Sequence, residues 1–149
     1  DEKMLGFIYA IFPIGYAIAS LIMGSFQKIR HRGIVFYVCG AIAGIGLGVF
    51  GFGLPLYLLV IAALLNGAAL EIDGLIWTNL MQEKVPPEKM GRVSSVDSLG
   101  SFVLLPIGFA FTGWLIDTIG VTSVFIAAGA VTAVISLLPL LHPVIRKLD

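Results

Sequence analysis

The stretch GIVFYVCGAIAGIGLGVFGFGLPLYLLVIAALLNGAAL occupies residues 33–70 and contains no charged side chain. A helix needs about 20 apolar residues to cross the hydrocarbon core of a bilayer, so this stretch is long enough for two crossings. Glycine and proline at residues 51–55 interrupt it, and this pair of residue types breaks helices. The stretch therefore predicts two membrane-spanning helices joined by a turn.

The rest of the chain repeats this pattern. Charged residues are also absent from 4–27, 98–116 and 118–145, and only 12% of all residues are charged, against roughly 25% in soluble domains. Runs of this length disfavour a soluble domain, and their continuous apolar character disfavours the alternating strands of a β-barrel. We expect an all-α membrane domain over residues 1–149, with five transmembrane helices. The predicted spans are about 5–26, 34–50, 56–80, 96–116 and 121–141, with a polar connection at 82–92.

Several function classes are disfavoured. The net charge is zero, so no attraction to nucleic acid is expected. The chain has one cysteine, Cys39, and its two histidines, His31 and His142, are not at metal-ligand spacing. No motif of a hydrolase, nucleotide-binding loop or zinc enzyme is present. We therefore expect no enzyme activity, no metal and no cofactor.

The basic residues predict the orientation in the membrane. If the spans alternate, one side receives only Lys3 and the other receives eight basic residues. These are Lys28, Arg30, Arg32, Lys84, Lys89, Arg92, Arg146 and Lys147. Cytoplasmic loops are enriched in such residues, so the C-terminus is expected on the cytoplasmic side of the cell membrane. The N-terminus then starts outside, and we expect that a first part of the protein precedes this chain.

Three glycines of the second span recur every four residues, at Gly40, Gly44 and Gly48. This spacing places them on one helix face, where small residues let another helix approach closely. Static packing is the simpler interpretation. The alternative is a smooth face along which helices slide during a conformational cycle.

The third span carries two carboxylates, Glu71 and Asp73. Glu71 lies roughly 4–5 Å from the middle of the span, at 1.5 Å per residue. A charge at that depth costs at least ~2.5 kcal/mol, so it needs a polar cavity, a partner or a proton. Residues two apart point about 200° away from each other on a helix, so the two carboxylates cannot face the same cavity. One hypothesis is a proton or cation site at Glu71, and the other is a structural bond to a neighbouring helix.

The fourth span begins near a further carboxylate, Asp97. Ser94 precedes it by three residues, which is the spacing of a capping box. A carboxylate in the first helical turn also interacts favourably with the helix dipole. The pattern predicts a capping role for Asp97, with a role in coupling or gating as the alternative.

The connection between the third and fourth spans resembles a known family. Residues 77–95, WTNLMQEKVPPEKMGRVSS, are similar to the connection between the tenth and eleventh helices of major facilitator superfamily transporters. The similarity is greatest to the bacterial drug, macrolide and siderophore exporters. The segments LPIG (105–108) and GWLIDTIG (113–120) continue it. The basic loop 24–33 resembles the loop motif of the family at Gly24 and Arg32, but Lys28 stands where the family usually has Asp.

The resemblance implies a fold and a mechanism. The five spans would correspond to helices eight to twelve of a twelve-helix transporter, so the N-terminal half and the seventh helix would be missing partners. The implied activity is proton-coupled efflux of small amphipathic molecules by alternating access across the bilayer. An importer of the same family and a non-transporting scaffold or signalling subunit remain alternatives.

The resemblance also suggests roles for individual residues. Glu71 is the expected carboxylate that exchanges protons and substrate, with Asp73 and Asp97 behind it. Asn66 and Trp77 are expected to line the cavity. The cytoplasmic gate loops are expected to use four basic residues, Lys28, Arg30, Arg32 and Arg92.

Overall fold

The chain folds into five long helices followed by a short C-terminal segment. The structure is a computed structural model that describes residues 2–26 and 29–147. Each of the five helices is long and apolar enough to cross a membrane, which confirms the predicted fold class. The helices are α1 (Glu2–Ser25), α2 (Arg32–Val49), α3 (Leu56–Lys84), α4 (Pro87–Ile119) and α5 (Val121–Leu137), and a 3-10 turn (Leu138–Leu141) leads to the short α6 (Pro143–Arg146).

Helices α2 and α5 pack closely because glycines remove the side chains between them. A Cβ atom on Gly44 would lie 2.6 Å from the backbone nitrogen of Ala133. Gly48 faces Gly129, and Gly40 faces Ser136, so the two helices run antiparallel. The predicted role of the glycine face in close helix packing is confirmed.

Helices α1 and α3 form the second close pair, and they run parallel. The backbone of Gly15 approaches the carbonyl oxygen of Leu64, and a Cβ on Gly67 would lie 2.5 Å from the carbonyl oxygen of Phe12. Small residues thus bring the two backbones together, as is typical of membrane helices. Helix α2 packs beside α3. Neighbouring helices therefore contact each other in the order α1, α3, α2, α5.

The connection between α3 and α4 is much shorter than the predicted polar segment 82–92. Helix α3 continues to Lys84, and α4 begins at Pro87. Val85 is extended, as expected for a residue before proline, and Pro87 occupies the first helical turn, where its missing N–H costs nothing. Most of the predicted polar connection is therefore helical, because the polar residues on both sides of this proline pair are compatible with helix.

Helix α4 differs from the other long helices. None of its 33 residues is buried, and it makes only limited contact with α3 and α5. Large apolar side chains such as Phe102, Phe109 and Trp114 are exposed along it. In this chain the apolar part of α4, from about Leu99 onward, is therefore exposed on nearly all sides.

Candidate functional site

Glu71 is held by a side chain of a neighbouring helix. The hydroxyl of Ser20 on α1 donates a hydrogen bond of 2.6 Å to Oε1 of Glu71 on α3. Both residues lie within candidate membrane spans, where hydrogen bonds between helices replace those that water would supply. The hydroxyl stabilises the charged carboxylate by donating a hydrogen bond to it. A protonated Glu71 could instead donate its own hydrogen to the Ser20 oxygen.

Asp73 lies on a different side of α3. It is partly buried. Glu71 is bonded to α1, and Asp73, two residues further on, points about 200° away from it. The prediction that the two carboxylates do not share one cavity agrees with this placement.

Asn66 is a packing residue in this structure. Its side chain is buried between α2 and α3, and its Nδ2 donates a hydrogen bond of 2.7 Å to the carbonyl oxygen of Ala43. Gly46 leaves room for the amide, since a Cβ there would lie 2.9 Å from Nδ2. This placement does not favour the predicted cavity-lining role, because the amide is already used in helix contact.

Trp77 is more open than Asn66. The indole is 45% exposed, and its ring centroid lies 6.5 Å from that of Phe36 on α2. One edge therefore packs on α2, while the rest is available to a cavity or to a further helix.

Asp97 and Arg92 lie on α4, away from the two carboxylates of α3. Both are exposed. Because α4 begins at Pro87, Asp97 is in its third turn, and the predicted capping role was wrong. Within residues 2–26 and 29–147, no hydrogen bond joins Asp97 to Glu71 or Asp73.

An ion pair joins the start of α2 to the end of α3. Nη1 of Arg32 donates to Oε1 of Glu83 at 2.6 Å, and the Arg32 side chain is only 13% exposed. Arg30 precedes it in the same loop and is exposed, whereas Lys28 lies outside the described residues. Of the four predicted gate residues, Arg32 is the one whose partner the structure identifies.

A cleft of about 320 Å³ lies between α1 and α3. Ser20 lies at its inner end, and Arg32 and Glu83 lie at its outer end. Its other lining residues are Met23, Gly24, Phe26, Ile29, Leu75 and Asn79. The cleft therefore connects the hydroxyl that bonds Glu71 with the ion pair at the end of the bundle.

Sequence reasoning missed three residues of this site: Ser20, Asn79 and Glu83. One signal is the spacing of Asn79 and Glu83, which are four residues apart and therefore adjacent on a helix surface. A polar connection over 82–92 hides it, because it places Glu83 outside the helix. Ser20 had no comparable signal, because a single serine in an apolar helix does not indicate its partner.

Among the residues that the structure describes, no group of three or more His, Cys, Asp or Glu side chains could hold a metal ion. The polar groups described at this site are the Ser20 hydroxyl, the Asn66 and Asn79 amides and the Glu71 and Asp73 carboxylates. The carboxylates can exchange protons, and all of these groups can bind polar parts of a small molecule.

Known proteins similar to this chain are exporters. Macrolide efflux protein A of Streptococcus pyogenes is 29% identical over 141 residues, which cover 93% of this chain and 35% of that protein. Enterobactin exporter EntS of Citrobacter koseri is 28% identical over 116 residues, which cover 77% of this chain and 28% of the exporter. The chain spans about a third of the length of the curated relatives that it matches. No solved structure gives a significant match.

The family itself is shown by a match over almost the whole chain. The family model described as Major Facilitator Superfamily matches residues 1–147. The five apolar helices agree with that match, and so do the two exporters. This chain belongs to the Major Facilitator Superfamily.

Proposed function

We propose that this chain is part of a secondary active transporter that exports small amphipathic molecules by alternating access, driven by proton antiport. The names of its relatives, a macrolide efflux protein and an enterobactin exporter, support export. The observation that carries the coupling proposal is the bond between Ser20 and Glu71. A charged carboxylate inside a membrane span is costly unless a partner, a polar cavity or a bound proton compensates its charge.

Glu71 is the proposed site at which proton and substrate compete. In its charged form it accepts the hydroxyl of Ser20 and can attract a proton or a cationic group. Binding of a proton neutralises the carboxylate, so substrate held by its charge is released. Asp73 and Asp97 are proposed to have secondary roles in coupling. Asp73 lies on another side of α3 and Asp97 lies on α4, and neither is bonded to Glu71 in the described residues.

The orientation and the missing partner belong to the same proposal. Eight basic residues at one end against one at the other support a cytoplasmic C-terminus. The exposed apolar surface of α4 supports a further set of helices that packs against it. We propose that these are supplied by the N-terminal half of the same transporter.

Glu71→Gln in the full-length protein tests the coupling proposal. The amide keeps the size of the side chain and can still bond Ser20, but it cannot exchange a proton. We expect substrate-driven proton movement in proteoliposomes to be lost while the amount of protein in the membrane is unchanged. The matched control is Glu88→Gln, which makes the same change at an exposed position in the first turn of α4. Unchanged antiport in Glu71→Gln would contradict the proposal.

A further inference from the structure

A row of residues on α3 leads from the membrane interior to the end of the bundle. Glu71, Leu75, Asn79 and Glu83 follow each other at intervals of four, so each lies on the turn above the last, and the row winds by about 120° around the helix between its two ends. At 1.5 Å per residue the row is roughly 18 Å long. Three of its four members are polar, which is unusual for a helix side that meets lipid.

The α1 side of the cleft leaves space along this row. A Cβ on Gly24 would meet no atom within 4 Å, and Ser20 and Met23 line the inner part. The volume of about 320 Å³ is enough for several water molecules, each of which needs two to four polar partners. The hydroxyl of Ser20, the amide of Asn79 and the Arg32–Glu83 pair can supply them.

A second groove in the same structure provides the comparison. It lies between α2 and α3, has a similar volume of about 340 Å³, and is lined by aliphatic residues and one glycine. Ile42, Ile45, Leu58, Ile61 and Leu65 are among them. A groove of that composition suits lipid chains, because it offers water no side-chain partner. The α1–α3 cleft differs in its chemistry and not in its size.

We propose that the α1–α3 cleft is a water-filled path through which protons reach Ser20, and through its hydrogen bond Glu71, from the side of the membrane that carries the Arg32–Glu83 pair. A proton passes from a hydronium ion at the mouth along the waters to the Ser20 hydroxyl, which takes it up as it gives its own proton to the Glu71 carboxylate, and a neutral water remains behind. Release follows the same path in reverse. This inference rests on the proposed role of Glu71 in proton coupling, and it adds the route and the side of access.

Cysteine labelling tests whether the cleft contains water. In the full-length protein, Cys39→Ala removes the one thiol of this chain, and any cysteine elsewhere is replaced in the same way. Single cysteines are then introduced by Asn79→Cys, Leu75→Cys and, as control, Ile42→Cys. Ile42 is 41% exposed and lines the apolar groove instead of the cleft. A membrane-impermeant thiol reagent is added to inside-out or right-side-out vesicles.

We expect the two cleft cysteines to react about tenfold faster than the control, because a thiol in apolar surroundings is seldom ionised. The faster reaction should occur only when the reagent is on the side of Arg32 and Glu83. Labelling rates equal to that of Ile42→Cys would contradict the water-filled path in the cleft but would not affect the proposed export. Full proton coupling in Glu71→Gln would instead overturn the proposed function, and the role of the cleft with it.

A second variant tests whether the water carries protons. Leu75→Phe narrows the cleft, and Leu70→Phe makes the same change on an exposed position of the same helix outside the cleft lining. We expect only Leu75→Phe to slow proton-coupled efflux severalfold, while substrate counterflow, which needs no net proton movement, stays at the level of the parent protein. Equal proton-coupled rates in the two variants would overturn the path.

Discussion

Gly129 of α5 lies so close to Gly44 of α2 that a Cβ on Gly129 would be 2.6 Å from the Gly44 carbonyl oxygen. The same atom would also meet the backbone of Gly48. Backbone cannot move aside as the end of a flexible side chain can. The separation of α2 and α5 therefore depends on the absence of a side chain at this position.

Gly129→Ala should destabilise the protein by forcing α2 and α5 apart. Overpacking of this kind costs about 1–3 kcal/mol, so the midpoint of thermal unfolding in detergent should fall. Gly113→Ala is the control, because a Cβ there meets no atom within 4 Å. Equal midpoints for the two variants would show that α2 and α5 do not pack in this register.

Asn66→Ala should affect stability and not substrate range. The change removes the hydrogen bond to Ala43, and interhelical bonds of this kind average about 0.6 kcal/mol. We expect a small fall in the unfolding midpoint and the same pattern of resistance in a panel of efflux assays. An altered pattern with an unchanged midpoint would restore the cavity-lining role.

Exchanging the two residues of the Arg32–Glu83 pair should restore the transport rate that each single substitution lowers. Arg32→Glu places two like charges together, and so does Glu83→Arg, whereas the double variant recreates the pair with opposite polarity. An exposed pair contributes about 0.2–1 kcal/mol, but here the Arg32 side chain is only 13% exposed, so each single change should slow transport severalfold. Lys89→Glu, at an exposed position on α4, controls for net charge. If the double variant transports no faster than the single variants, the ion pair does not contribute to closing the cytoplasmic side.

Residues 1–149 expressed alone should not transport. Alternating access needs two halves that enclose the substrate path, and here α4 has no buried residue. The measurement is efflux of a substrate of the full-length protein from cells that make only this chain, with membrane insertion checked by fractionation. Robust efflux would contradict the proposed missing half.

Local sequence predicted the helices well, because each helix satisfies its own backbone hydrogen bonds and its apolar length is a local property. The divergence of Glu71 and Asp73 also followed from helix geometry alone. The start of α4 did not, since polar residues between Lys84 and Asp97 are equally compatible with a loop. Here the proline pair ends one helix and begins the next within two residues.

The sequence by itself determined that this chain is a five-helix membrane domain of a transporter family, that α2 has a glycine face, and that two carboxylates of α3 point apart. Only the tertiary structure decided that Glu71 bonds Ser20, that Glu83 pairs with Arg32, and that Asn66 is buried against Ala43. The physical reason is that periodicity defines which side of a helix a residue occupies. Which neighbour meets that side depends on how the helices are rotated and shifted against each other, and backbone contacts at glycines set both.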